Sequence, residues 1–258
     1  MGQHKAEKAG GYEADIEKYI TEKQGVDVKH SKADDCRGRQ EGVSCYISDD
    51  PAAAKKSLRR RIRDQISCLD PSYCRQADQR IIERIVSWEC FRQADTVFCF
   101  VGTDREIHTK PLIQAALDLG KKIAVPKCVS KGIMEARQIS SLNDLAPGSY
   151  GIEEPLDTCR IMPPGSVSLA LIPCLTCSRD GRRLGYGGGF YDRYLESVPG
   201  IRAVLCRGSL MEEQIPCESH DCLMDAVIWE EGILGLRFPR YTAGSDGKAA
   251  ADFVSYVK

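Results

Sequence analysis

From Thr96 to Trp229 the sequence alternates short apolar runs with stretches of helical periodicity, and this alternation constrains the fold more than any other feature. "TVFCFVG" (96–102), "KIAVP" (122–126), "SVSLALIP" (166–173), "IRAVLC" (201–206) and "DAVIW" (225–229) read as buried strands, and "GIMEARQI" (132–139) as a strand nearer an edge. Between them, "HTKPLIQAALDLGKK" (108–122) is an amphipathic helix with Thr109 near its start and Gly120 at its end. "FYDRYLESV" (190–198) is a second helix and "LMEEQI" (210–215) a helical turn. Repeated strand–helix units imply an α/β fold: a three-layer, mostly parallel, Rossmann-like sheet with helices on both faces. Ligands of such sheets sit beyond the carboxyl ends of the strands.

Upstream, "AAAKKSLRRRIRDQISCL" (52–69) is helix-prone, with Leu58, Ile62 and Ile66 forming a narrow apolar stripe. Asp70-Pro71 caps and opens another helix through Ala77, Ile81, Ile85 and Trp88. The expected organisation is a flexible extension (1–50), an α/β domain (51–238) and a loosely attached tail (239–258). The net charge of −1 gives no bulk attraction to nucleic acid or membrane. "KKSLRRRIR" lacks the interleaved aromatics of a nucleic-acid site. No apolar run approaches the ~20 residues of a membrane span, and the first 30 residues hold no signal-peptide core. The expectation is a cytoplasmic protein, with a monomer assumed, whose thirteen cysteines are reduced thiols.

The second constraint is "RRLGYGGGFYDRYL" (182–195), which follows the most apolar strand. Glycines without Cβ let backbone amides approach a ligand, and a strand, glycine loop and helix start together make an anion site. Arg182 and Arg183 read as mobile cations beside it. Asp192, one turn into the helix, suits an oxygen ligand for Mg²⁺. The combination argues for a nucleoside triphosphate with a metal. Neither common glycine fingerprint fits, because Phe190 stands where a dinucleotide motif needs glycine and no G-K-[ST] is present.

"LIPCLTCSRDGRRLGYGGGFYDRYL" (171–195) resembles the signature of the 5-formyltetrahydrofolate cyclo-ligase family, roughly P-G-L-A-F-D-x-x-G-x-R-L-G-x-G-x-G-[FY]-Y-D. Further blocks match in order: "KKSLR" (55–59), "EIHT" (106–109), "YGIEEP" (150–155) and "IPCESHD" (215–221). The resemblance implies ATP- and Mg²⁺-dependent cyclisation of 5-formyltetrahydrofolate to 5,10-methenyltetrahydrofolate through a phosphorylated formyl group. It places Lys55, Lys56, Ser57, Leu58 and Arg59 on ATP, with Arg183, Leu184, Gly185, Tyr186, Gly187, Gly188, Gly189, Phe190 and Tyr191 as the covering loop. Lys55 and Arg183 are the catalytic candidates. Glu106, Tyr150, Tyr186, the glycines 187–189 and Phe190 are implied at the folate, and Asp192 and Asp221 at the metal. Read without the resemblance, the Lys/Arg-rich helix is the pattern of a solvated face.

The sequence departs from the pattern at Cys177-Ser178, where the family has Phe-Asp, and at Cys174, where glycine is usual. The lost acid leaves room for an alternative, a non-catalytic folate- or nucleotide-binding paralogue. The departure also creates C-x-x-C, which with Cys217, His220 and Cys222 raises a Cys₃His zinc arrangement. Arg183, aimed at a phosphate, is expected to be dispensable for folding.

Overall fold

The computed structural model describes residues 50–236, so the expected extension up to residue 49 and the tail from 239 lie outside the described residues. Asp50 accepts a hydrogen bond from the amide of Ala53 at 2.9 Å and Pro51 fills the first turn, which starts α1 (Pro51–Ser67). The same device, Asp70 with Ser72 at 2.7 Å, starts α2 (Pro71–Ser87). A short α3 (Glu89–Gln93) leads into β1 (Thr96–Cys99), α4 (Lys110–Asp118), β2 (Lys122–Ser130) and β3 (Ile133–Ile139). A small hairpin of β4 (Leu145–Pro147) and β5 (Glu153–Pro155) follows, then β6 (Ile161–Met162) and β7 (Leu169–Ile172). A second hairpin, β8 (Thr176–Cys177) and β9 (Arg183–Leu184), precedes α5 (Phe190–Leu195), β10 (Ile201–Leu205), β11 (Ala226–Trp229) and β12 (Gly232–Gly235).

Eight strands form one sheet in the order β12-β11-β10-β7-β1-β2-β3-β6. The run from β11 to β2 is parallel throughout, whereas β12, β3 and β6 are antiparallel. Alternate strand residues face opposite layers. Val97, Cys99, Leu169, Leu171, Ala203 and Ile228 pack with Ile81, Ile82 and Ile85 of α2 and Leu112 and Ile113 of α4. Phe98, Ala170, Ile172, Val204 and Val227 pack with Leu58 and Ile62 of α1 and Tyr194 and Leu195 of α5. The expected three layers therefore form. Burying Leu58 and Ile62 contributes about 1.5–3 kcal/mol each, which seats a helix otherwise rich in Lys and Arg.

Two expectations need correction. The helical turn over 210–215 is one 3₁₀ turn at Gly208–Leu210, with irregular chain beyond it. "DAVIW" is not the last strand: β12 pairs antiparallel with β11, and "GILG" carries too weak a strand pattern to stand out. No helix among the described residues is long and apolar enough to cross a membrane.

Candidate functional site

The carboxyl ends of β1, β7 and β10 open onto a small cleft, lined among others by Phe100, Glu106, Pro173, Cys174, Cys206 and Arg207. The loop after β1 is built to a fixed shape. Thr109 Oγ1 donates to the Phe100 carbonyl at 2.6 Å and accepts from Gly102 N–H at 3.0 Å. A Cβ on Gly102 would collide with the Ile107 carbonyl. The backbone oxygen of Glu106 accepts from Arg207 Nη2 at 2.7 Å, and Arg207 is itself held by the buried Asp78. The Glu106 carboxylate accepts from Thr103 N–H and Oγ1 at 3.1 and 3.0 Å. Beside it lies Tyr186, whose phenol pKa is pushed up by burial and by the Glu106 carboxylate.

Three arginines clasp the glycine loop by its carbonyls. Arg59 Nε donates to Gly185 O at 2.9 Å, Arg63 Nη2 to Tyr186 O at 3.5 Å and Arg193 Nη2 to Gly188 O at 2.9 Å. Gly187 and Gly189 have φ of 97° and 67°, a region that side chains rarely adopt, so the loop path requires glycine there. Among the described residues the amides of Gly187, Gly188 and Gly189 donate to no protein acceptor. Amides left over at the mouth of a helix form an anion cradle. Gly189 is the N-cap residue of α5.

Lys55 and Arg59 share a face of α1, but it is not a solvated one. Lys55 is only 5% exposed, and its Nζ lies 2.6 Å from Asp221 Oδ2 and 2.8 Å from Glu218 Oε2. These ion pairs outweigh burial and hold the Lys55 ammonium above its ordinary pKa. Sequence reasoning missed Glu218, although it sits inside the matched "IPCESHD" block. Glu218, His220 and Asp221 offer metal-ligand atoms within 4.8 Å of one another, and Asp192 is not part of that group. Asp192 instead directs Oδ1 at Arg183 Nη2, 2.7 Å away. The link between the two acids is indirect: Cys222 Sγ lies 3.5 Å from the Asp192 carbonyl.

The mobile cations expected at 182 and 183 are not what the fold makes of them. The side chain of Arg183 is 3% exposed, paired with Asp192, donating to Pro173 O at 3.3 Å, with its guanidinium 5.7 Å from the Tyr191 ring centroid. Its Nε is buried without a protein partner. Arg182 Nε pairs with Asp180 Oδ2 at 2.8 Å. Arg183 is therefore buried and paired rather than free to reach outward, and its removal is expected to strand Asp192 in a partly buried site. Ser178, at the position of the missing acid, is fully buried and hydrogen-bonds Asp180, so a carboxylate is supplied two residues further on.

Of the other candidates, Leu58 lies in the core, while Lys56 and Ser57 are exposed. Leu184 is buried. Tyr191 packs against both cores and meets Phe98 edge-on at 6.3 Å, so it anchors the helix start rather than presenting a free ring. Phe190 faces Tyr150 at 6.3 Å; Tyr150 is 75% exposed and is the one non-glycine with positive φ among the described residues. Cys174 and Cys177 do not meet Cys217, His220 and Cys222. Cys206 is their neighbour, while Cys217 Sγ contacts Arg182 Nη1 at 2.8 Å.

Loops at the carboxyl ends of parallel strands, with oriented amides and paired charges, are the architecture of an α/β enzyme that works on an anionic substrate. The sequence profile of the 5-formyltetrahydrofolate cyclo-ligase family matches residues 51–230, and the chain belongs to that family of ligases. It is 27% identical over 173 residues to 5-formyltetrahydrofolate cyclo-ligase of Escherichia coli (strain K12), covering 65% of this chain and 95% of the relative. It is 26% identical over 218 residues to the mitochondrial 5-formyltetrahydrofolate cyclo-ligase of Arabidopsis thaliana, covering 73% and 78%. The fold is shared with the 5,10-methenyltetrahydrofolate synthetase of Aquifex aeolicus, at a TM-score of 0.64, 24% identity and coverage of 75% of this chain and 98% of that one.

Proposed function

We propose that the chain joins N10 to the formyl carbon of 5-formyltetrahydrofolate at the expense of ATP, giving 5,10-methenyltetrahydrofolate, ADP and phosphate. The formyl oxygen attacks the γ-phosphorus and ADP departs. N10 then attacks the formyl carbon, the C–O bond breaks with phosphate as leaving group, and the N10 proton passes to solvent. The ring nitrogens share the resulting cation. Phosphorylation converts an amide-like oxygen from a poor leaving group into a good one, so the protein's work is positioning and charge stabilisation.

The observation that carries this reading is the clasped loop: Arg59 bound to Gly185 O while the Gly187–Gly189 amides keep their donors. Those amides and the Arg59 guanidinium receive phosphate oxygens. Lys55 and Arg183 act from beneath, Lys55 through the Glu218–Asp221 pair and Arg183 by fixing Asp192 and the strand exit at Pro173. Glu106, held in place through its backbone, offers a carboxylate to the donor edge of the pterin. Phe190 and Tyr150, whose rings meet edge to face at 6.3 Å, offer aromatic surface to the flat pterin.

The Glu218 and Asp221 carboxylates, with ligand atoms within 4.8 Å of one another, make a hard-oxygen donor set that fits Mg²⁺, with water and phosphate oxygens completing the shell. Asp221 and Glu218 would hold the ion, with Asp192 behind them, its carboxylate paired with Arg183. When bound, the ion supplies charge neutralisation to the transferring phosphoryl group. The experiment is direct: purified protein with 5-formyltetrahydrofolate, Mg²⁺ and ATP should develop the near-ultraviolet absorbance of the methenyl product. Folate binding with no ATP-dependent rise would replace this reading with that of a folate-binding paralogue.

A further inference from the structure

Three thiols from two chain segments converge behind the cleft. β7 and β10 run parallel with Ile172 opposite Val204, so two residues further along each strand the register brings Cys174 beside Cys206. The C-x-x-C spacing then returns Cys177 beneath them, and the three Sγ atoms lie within 4.8 Å of one another. None is in a disulfide. Cys177 and Cys206 are 0% and 2% exposed, while Cys174 is half-buried. Cys174 and Cys206 line the same cleft as Glu106.

Core packing explains single buried cysteines, since a thiol behaves there as a small hydrophobe. It does not require three sulfurs to meet. No other trio drawn from the eleven described cysteines groups in this way. The geometry suits a metal better than a disulfide, which would use two sulfurs and strand the third. Tetrahedral zinc–thiolate bonds of about 2.3 Å place sulfurs roughly 3.8 Å apart, so closing the present triangle takes at most about 1 Å of side-chain motion. C-x-x-C is itself a recurrent zinc-ligand spacing.

Hydrogen bonds from Cys174 and Cys177 lower the pKa of Cys206 against its burial, whereas burial pushes the Cys174 thiol up and the hydrogen bonds within the trio push Cys177 up, so a metal binding there displaces those two protons.

We infer that Cys174, Cys177 and Cys206 form a three-thiolate site for a thiophilic divalent cation of the zinc type, with the fourth coordination position facing the cleft. Three protein ligands and one exchangeable position distinguish such a site from a closed structural one. The inference is independent of the reaction proposed above and of the oxygen-rich Glu218–Asp221 pair, which selects a harder ion.

The test uses the full chain, reduced and stripped of metal with chelator, titrated with Co²⁺ and then displaced with Zn²⁺. One equivalent of Co²⁺ should produce a thiolate-to-metal charge-transfer band and the intense visible bands of a tetrahedral site, and Zn²⁺ should abolish both. Cys174→Ser and Cys206→Ser should each lose the bands. Cys68→Ser and Cys217→Ser should keep them. Cys174 is half-buried, so its serine variant guards against a folding failure at Cys206, with circular dichroism as the check. The inference is overturned if the wild-type chain gives no charge-transfer band, or if the bands survive Cys174→Ser in a folded protein.

Discussion

The Arg207 guanidinium meets the Asp78 carboxylate at two points, Nε to Oδ1 at 2.7 Å and Nη2 to Oδ2 at 2.9 Å, with both side chains 5% exposed. Asp78 comes from α2 and Arg207 from the chain just after β10, so the pair ties the helical layer to the strand ends. The same guanidinium holds Glu106 O, and the same carboxylate accepts from His108 N–H at 3.0 Å. The loop that carries Glu106 is thus hung from a buried ion pair. Removing one partner leaves an uncompensated charge in the interior, which costs about 3–5 kcal/mol. Asp78→Ala should lower stability by that amount and weaken folate binding. Urea denaturation measures the first effect, and a loss below about 1 kcal/mol would show that Arg207 finds other partners.

Arg59 touches the glycine loop and little else that is buried. Arg59→Ala should leave the fold intact while raising the ATP concentration for half-maximal rate about tenfold or more, since a charge-assisted hydrogen bond contributes roughly 1.5–3 kcal/mol. Initial rates at varied ATP with folate saturating test this. An unchanged dependence on ATP would remove Arg59 from the nucleotide site.

Arg183 behaves differently. Its guanidinium is enclosed by Asp192, Pro173 and Tyr191. Arg183→Ala should lower the unfolding midpoint together with turnover, by about 1.5–3 kcal/mol for the lost charged contacts. Asp192→Ala should share most of that loss, giving a coupling energy in a double-mutant cycle. Additive effects of the two substitutions would mean that the pair does not act as a unit.

The metal reading separates the acids. Asp221→Asn should raise the Mg²⁺ requirement strongly, because Asp221 belongs with Glu218 and His220 to a cluster of metal-ligand atoms that Asp192 does not join. Asp192→Asn should raise it less, since that carboxylate is already committed to Arg183. A Mg²⁺ titration of activity ranks them, and an identical requirement for Asp221→Asn and wild type would exclude Asp221 as a ligand.

The parallel sheet was legible because its strands are buried on both faces and read as continuous apolar runs, as in "SVSLALIP". β8 and β9 were not, because two-residue strands carry no periodicity. The glycine loop announced itself through composition, but the burial of Arg183 did not. An arginine beside glycines reads as mobile until Asp192, nine residues on, is seen to fold back on it. The burial of Lys55 was hidden for a related reason: its partners Glu218 and Asp221 lie more than 160 residues away. Cys206 could not be joined to the C-x-x-C without the register between β7 and β10, which no single strand encodes.

The departure at Ser178 yields the sharpest test of how the loop is built. Burial opposes ionisation of Asp180, but hydrogen bonds from Ser178 and Arg182 outweigh it and hold the carboxyl below its ordinary pKa of 3.8. A depressed folded-state pKa contributes stability that is present above the unfolded value and lost as pH falls through the folded one. Ser178→Ala removes one donor, so it should shrink that contribution and move acid unfolding to higher pH. Ser178→Asp places a second carboxylate against Asp180 in a buried turn, and one of the two must then keep a proton. That raised pKa makes the variant least stable at neutral pH, by about 1–3 kcal/mol for an imperfectly paired buried group. Part of the loss should return at mildly acidic pH, as protonation of the pair becomes complete. Restoring the family's acid should therefore lower stability without raising turnover. Urea midpoints at the two pH values read the effect. A Ser178→Asp protein that is both as stable as wild type at neutral pH and faster would show that Asp180 does not stand in for the missing acid.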